Sequence, residues 1–302
     1  MFDSIRAMVN YAKSGGIQKI AVVNAHDLDV LLSLKKAVQN EIVKPVLIGK
    51  ADKIRELLDN FSFELDAEII DRDTDASAAE LAVQMVSAGR AKMLMKGLIP
   101  TSTLLKAVLN KEWGLRSNSI LSHVSIFNFK GKVDRTVLLS DAAINIAPDL
   151  MQKKAIIENA VKVAHKLGVE KPKVAILCAV EAVNPSMQAT IDAAVLSKMN
   201  DRSQIKGCVI DGPLAFDNVF SVEAAKHKGI SSPVAGLADI LIVPNIEAGN
   251  VLYKTFGFFS AKFTAGIIAG AKAPIVVTSR SDSSDTKFNS IVLASLIAYS
   301  NI

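Results

Sequence analysis

The chain is poor in residues that staple or switch small proteins. It has two cysteines in 302 residues, Cys178 and Cys208, each inside an apolar run. That excludes a disulfide framework and a paired-cysteine metal site. Each thiol reads as a small buried hydrophobe rather than a nucleophile or a bridge. Aromatics make up only 5% of the residues and tryptophan occurs once, against 50% apolar residues overall, so the core must be mainly aliphatic. No apolar run is long and unbroken enough to span a bilayer, and the opening residues Met1 to Arg6 carry no signal-peptide pattern. A cytoplasmic protein without a membrane partner is therefore expected. The net charge of +5 is modest and its Lys and Arg residues are dispersed. With no basic stripe interleaved with aromatics, no nucleic-acid partner is expected, whereas an enzyme acting on anions fits.

Several motifs are missing too. No G-x-G-x-x-G follows the first strand-like run, and neither G-x-x-x-x-G-K-[ST] nor G-x-S-x-G occurs. These absences weaken the dinucleotide oxidoreductase, kinase and esterase readings. The four histidines, His26, His123, His165 and His227, do not assemble a Ser-His-Asp triad. His165 and His227 lie in helical stretches beside lysines and are expected to be solvated. His26 adjoins a helix start, and His123 is the one suspected of touching a ligand.

What is present is alternation. Strand-like runs are expected at 17–25, 43–48, 64–70, 91–95, 174–180, 207–210, 239–243 and 275–278, and most are followed by a helical pattern. Asp27 offers an N-cap to the first of these helices, and Gly89 stands just past the end of another. The runs 120–129 and 136–139, split by a polar turn, predict a hairpin. The stretch 251–269 reads as a helix ending in Gly270. Repeated β-α alternation predicts mainly parallel sheets with helices on both faces. No low-complexity linker divides the chain. The domains are expected to be 1–138 plus 280–302, with the final helix returning to the first domain, and 139–279.

In such folds, loops at the carboxyl ends of strands converge on the site. Lys96-Gly97 precedes a helix start rich in Thr101, Ser102 and Thr103. Exposed N–H groups and a cation there suit an anion, although ordinary capping explains the hydroxyls equally well. Asp141 and Asn145 could bind a ligand or cap a turn. Asp211-Gly212-Pro213 reads as a sharp turn. In the segment of Glu247, Gly249 and Asn250, Glu247 could be a base or a partner of Lys254. The richest segment is Thr278 to Lys287, in which a hydroxyl, a cation and two carboxylates follow a buried strand. A reaction that handles a phosphate and moves one proton suits those groups.

The segments DGPLAFD (Asp211 to Asp217), PNIEAGN (Pro244 to Asn250) with Tyr253-Lys254, TSRSDSSDTK (Thr278 to Lys287) and LSDAAINIAPD (Leu139 to Asp149) together resemble the phosphate acetyltransferase/butyryltransferase family. The TSRSDSS ending, the LSHV segment and the compact length are more similar to its butyryl branch. The resemblance implies two α/β/α domains similar to isocitrate/isopropylmalate dehydrogenases, with an active cleft between them. It implies reversible exchange of a short-chain acyl group between CoA and inorganic phosphate, and a homodimer or higher oligomer. CoA would be a substrate, with no tightly bound cofactor, no metal and no nicotinamide. It also implies catalytic roles for Ser279 and Arg280. The family's following Asp falls on Thr286 here, so its role as general base passes to the neighbouring Asp285, with Asp282 three residues earlier. Burial would have to raise that carboxyl's pKa. Arg116 and Arg135 are candidates for holding CoA. Phosphate and thiol can meet directly in a ternary complex, so neither cysteine needs to carry the acyl group.

Two rival readings stand beside this one. The first is a dehydrogenase on the related fold, which would need a nucleotide site and, in decarboxylating members, clustered aspartates. The second is a non-catalytic two-domain protein that binds a small anion.

Overall fold

The structure, a computed structural model, describes every residue except Phe63, Lys132, Arg280, Ser281 and residues 300–302, and only the backbone of Ser260. In chain order, the first stretch runs α1 (Ile5–Ser14), β1 (Gln18–Val23), α2 (Leu28–Gln39), β2 (Val43–Gly49), α3 (Ala51–Asn60), β3 (Glu68–Asp71), α4 (Asp75–Ser87), β4 (Met93–Lys96) and α5 (Thr101–Val108). The middle stretch holds β5 (Ser122–Phe129), β6 (Arg135–Ser140), α6 (Leu150–Lys166), β7 (Lys173–Leu177), α7 (Gln188–Asp201), β8 (Val209–Leu214), α8 (Phe216–Phe220), α9 (Val222–His227), β9 (Ile240–Ile242) and α10 (Ile246–Thr255). After a π-helical turn at Phe256–Ser260 come β10 (Ala261–Ala269), β11 (Ile275–Val276) and α11 (Ser284–Tyr299).

Local chemistry explains many of these boundaries. Asp27 accepts from the N–H of Val30 and starts α2, and Thr74 does the same for α4 through Ser77. Asp149 and Gln152 form a reciprocal capping box at α6. Gly89, at φ +73°, follows α4 in the left-handed region that Cβ-bearing residues avoid.

The chain forms two compact units. One comprises Ser4–Ser119 with Ala265–Ile302, the other Met1–Asp3 with Ile120–Thr264. In the first unit β3, β2, β1, β4 and β11 lie side by side and parallel, while Ile268 of β10 pairs antiparallel with Ile275. In the second unit the order is β5-β6-β9-β7-β8, parallel except for the β5–β6 hairpin. The sheets are thus α/β and mostly parallel, as expected.

The division differs from the expected 1–138 plus 280–302. The hairpin joins the second unit because β6 pairs with β9, Leu138 opposite Ile240. Residues from Ala265 onward join the first because β11 pairs with β4, Ile275 opposite Leu94. The stretch 251–269 is a second correction, since it is part helix and part strand. From Lys262 to Ala265 exposure alternates residue by residue, and the Ala/Gly/Ile residues that follow are buried in the manner of a central strand. A short buried strand cannot be told from a helix by apolarity alone. Asp211, Gly212 and Pro213 lie within β8 rather than in a turn after it, and the Gly212–Pro213 peptide is cis. No helix among the described residues is long and apolar enough to cross a membrane.

One buried ion pair joins helices of the second unit. Lys153 Nζ on α6 lies 2.6 Å from Asp192 Oδ2 on α7, both side chains below 10% exposure. Gln188 Nε2 donates to the other Asp192 oxygen at 2.8 Å. Lys153→Met should cost about 3–5 kcal/mol by leaving a buried carboxylate uncompensated. The double variant Lys153→Met/Asp192→Leu should regain most of that. Urea unfolding of the two variants checks this, and equal losses in both would contradict it.

Candidate active site

In the first unit, the carboxyl ends of β4 and β11 are neighbours, because Val276 pairs with Met95 one residue before Lys96. Two loops that the sequence singled out therefore open side by side. Lys96 is buried, and its Nζ donates to the Gly97 carbonyl at 3.2 Å. Gly97 is required sterically, since a Cβ there would stand 2.3 Å from Asn24 O and 2.5 Å from Val23 O. Helix α5 begins at Thr101 after Pro100, with no side-chain cap on its first turn. Thr101 is half-buried and Ser102 exposed. The capping alternative for Thr101–Thr103 is thus not what the structure shows.

After β11, Ser279 and Asp282 bond to each other. The Ser279 N–H donates to Asp282 Oδ2 at 2.8 Å, and the Asp282 N–H returns to Ser279 O at 3.2 Å. Burial raises the Asp282 pKa above the ordinary carboxylate value, against the Ser279 N–H and the charge of Lys287, which both lower it. Asp285 is placed differently from expectation. Its side chain is 73% exposed and its Oδ1 lies 2.6 Å from Lys36 Nζ on α2. The environment that raises a carboxyl's pKa surrounds Asp282 instead. Arg280 lies outside the described residues.

The second unit gathers another set at its own strand ends. Asp141, just past β6, is 3% exposed. Its carboxylate accepts from the backbone N–H groups of Ala143, Ile144 and Asn145 and from Asn145 Nδ2. Asn145 Nδ2 also donates to Leu121 O at 2.9 Å. Both residues thus organise the turn that follows β6. Gly249 of α10 rests on that turn, since a Cβ there would meet Asp141 O at 2.5 Å. Asn250 Nδ2 donates to Ala142 O at 3.3 Å. Glu247 is exposed in the first turn of α10, where the helix dipole favours its charge.

His123, at the start of β5, is buried, with Nδ1 3.1 Å from Ser125 Oγ and its ring edge-on to Tyr253 at 5.5 Å between centroids. Burial lowers its pKa, with Asp141 pulling the other way. Sequence reasoning did not anticipate Tyr253 as its neighbour, although the residue closes one of the quoted segments.

Asp211, Gly212 and Pro213 are bound up in packing. Asp211 Oδ1 accepts from the Gly212 N–H, and a Cβ on Gly212 would meet Ile176 Cβ at 2.8 Å. Arg135 is committed elsewhere than to a ligand, donating to Gly236 O at 2.9 Å and Ala238 O at 2.6 Å. Arg116 is exposed and bridges Ala271 through its backbone. His227 is exposed as expected, but half-buried His165 has Nε2 2.8 Å from Gly207 O. Burial pushes the thiols of Cys178 and Cys208 up to about 11. No group of metal-ligating side chains exists among the described residues.

The buried neutral His123 has a pH consequence. Its folded pKa lies below the ordinary 6.5, so as pH falls through 6.5 the unfolded chain takes a proton that the folded chain refuses, and stability is lost. His26 is lowered too and acts in the same sense. His123→Gln should flatten the fall in Tm between neutral and mildly acidic pH while leaving the His26 share. An unchanged Tm–pH slope would show that the imidazole is not held neutral.

Comparison with known proteins connects these observations. The sequence profile described as phosphate acetyl/butaryl transferase matches residues 68–295. The chain is 50% identical over 302 residues, all of both chains, to a phosphate butyryltransferase of Clostridium beijerinckii. It is 44% identical to a phosphate acetyltransferase of Thermotoga maritima, covering 97% of this chain and 99% of that one. Among solved structures, a branched-chain phosphotransacylase from Enterococcus faecalis superposes with a TM-score of 0.82 at 35% identity, covering 93% of this chain and 99% of that one.

Proposed function

Because the chain belongs to the phosphate acetyl/butaryl transferase family, we propose that it transfers a short acyl group, butyryl foremost, reversibly between the CoA thiol and inorganic phosphate. The observation that carries this reading is the 50% identity, over the whole of both chains, to a phosphate butyryltransferase. The 44% identity to a phosphate acetyltransferase supports acetyl as the second reading.

Towards acyl phosphate, a phosphate oxygen attacks the thioester carbonyl. A C–O bond forms, the C–S bond breaks, and the phosphate proton ends on the CoA sulfur. In reverse the thiol must lose that proton first, because the thiolate is the nucleophile. A carboxylate of raised pKa suits this transfer better than an ordinary one. Asp282 therefore takes the proton-transfer role in this reading, and Asp285 holds Lys36. Arg280 neutralises charge developing on phosphate or on the carbonyl oxygen, which its planar fork suits. Ser279 hydrogen-bonds the reacting thiol or phosphate. Lys96 and the N-terminus of α5, with Gly97, Thr101 and Ser102, supply positive potential at the neighbouring strand end. His123, Asp141, Asn145, Glu247, Gly249 and Asn250 form the second unit's contribution to substrate binding, with Asp211, Gly212 and Pro213 shaping the edge strand β8. The acyl group passes directly between substrates in a ternary complex. CoA is a substrate rather than a bound cofactor, and a cytoplasmic homo-oligomer completes the reading.

The test is phosphate-dependent release of CoA thiol from acetyl-, propionyl- and butyryl-CoA by the purified protein. Release that requires phosphate and is fastest with butyryl-CoA is the expected result. Acetyl-CoA leading would select the second reading, and no release from folded protein would discard both. Arg280→Ala should lower turnover about 100-fold or more. Asp282→Asn should cost on the order of 100-fold as well. Asp285→Asn, which breaks only an exposed ion pair, should leave turnover nearly unchanged. Activity should fall on the acid side as pH drops through the raised pKa of Asp282.

A further inference from the structure

A buried lysine reaches back to both Ser279 and Asp282. Lys287 is 3% exposed and belongs to the first turn of α11. That is an unfavourable place for a cation, because a helix N-terminus already carries partial positive charge. Burying an ammonium adds a desolvation penalty that only good acceptors offset. A buried Met or Leu would anchor the helix without either cost. The lysine's acceptors explain its presence. Nζ donates to the Ser279 carbonyl at 3.5 Å and to the Asp282 carbonyl. These residues already exchange two hydrogen bonds with each other. One ammonium thus gathers both carbonyls.

We propose that Lys287 is a positioning residue for acyl transfer: it draws the Ser279 and Asp282 carbonyls together and so holds the Asp282 carboxylate in place for proton transfer. The proposal rests on the acyltransferase reading above. Lys287 touches no reacting atom and acts through Ser279 and Asp282. Its charge is the one among the described residues that lowers the Asp282 pKa. Of the other charges nearby, Asp285 on the exposed side of α11 is paired with Lys36 of α2.

The clamp is tested with Lys287→Met and Lys287→Gln, measuring kcat, KM, the pH profile and Tm alongside the wild-type enzyme. Wild-type turnover tests the acyltransferase reading itself, and the variants test only the clamp. Lys287→Met should lower kcat by on the order of 10- to 100-fold, as loss of alignment does, with KM for acyl-CoA little changed. Lys287→Gln can still donate to carbonyls but carries no charge, so it should recover part of kcat. In both variants the acid limb should move to higher pH, because Asp282 loses the cation that favours its ionised form. A merely structural lysine would change Tm and leave the limb in place. Wild-type kcat with an unmoved limb in folded Lys287→Met would overturn the proposal. If that variant does not fold, Lys287→Gln decides alone, with an upward limb supporting the clamp and an unmoved one refuting it.

Discussion

Helix α11 is buried on every side from Lys287 through Leu296, and much of the first unit answers to that fact. A helix stretch without a solvent face has to pair most of the polar groups it carries, and here Ser295 Oγ is left without a partner among the described residues. Ser290 Oγ donates to Thr286 O and accepts from the N–H of Gly266 in β10. The Ser295 carbonyl accepts from Gln18 Nε2 at the head of β1. These bonds tie the helix to strands far away in sequence and fix its axis. Lys287, in the first turn of that helix, reaches Ser279 O and Asp282 O, so these two residues are tied to a helix whose place is already set. Preorganisation of this kind lets electrostatic groups act without reorganising during reaction.

The second unit reaches order by another route. A single carboxylate, Asp141, takes three backbone N–H groups and a side-chain amide, and so folds the turn after β6 around itself. Gly249 then lets α10 come down on that turn, and Asn250 fastens it. Residues that seemed alternative ligands for a substrate are thus partly one another's partners. Their convergence follows from parallel strands ending at one edge.

The sequence made the α/β alternation and the strand-end loops legible because both rest on local pattern. Period-two and period-3.6 apolar spacing and the caps at Asp27 and Gly89 need no tertiary information. It misled where packing decides. Ala261–Ala269 is a strand whose later residues, Ala265 to Ile268, are buried one after another, and apolarity alone does not tell such a run from a helix. Asp282 and Asp285 are equally acidic in the sequence, and what separates them is Lys36, 249 positions from Asp285. Arg135 seemed available to a ligand until two carbonyls about 100 positions away claimed its guanidinium. Lys287 closed a quoted motif, yet no local rule marks a lysine as buried.

The two cysteines have a practical consequence. With thiols pushed up to about 11, only roughly one in a thousand would be ionised at pH 8, where a dissolved thiol is substantially thiolate. Both side chains should therefore react sluggishly with electrophiles. A colorimetric thiol reagent added to the folded protein would report liberated CoA almost free of background. Thiol-directed alkylating agents, which silence many enzymes through an ionised cysteine, should leave this one working.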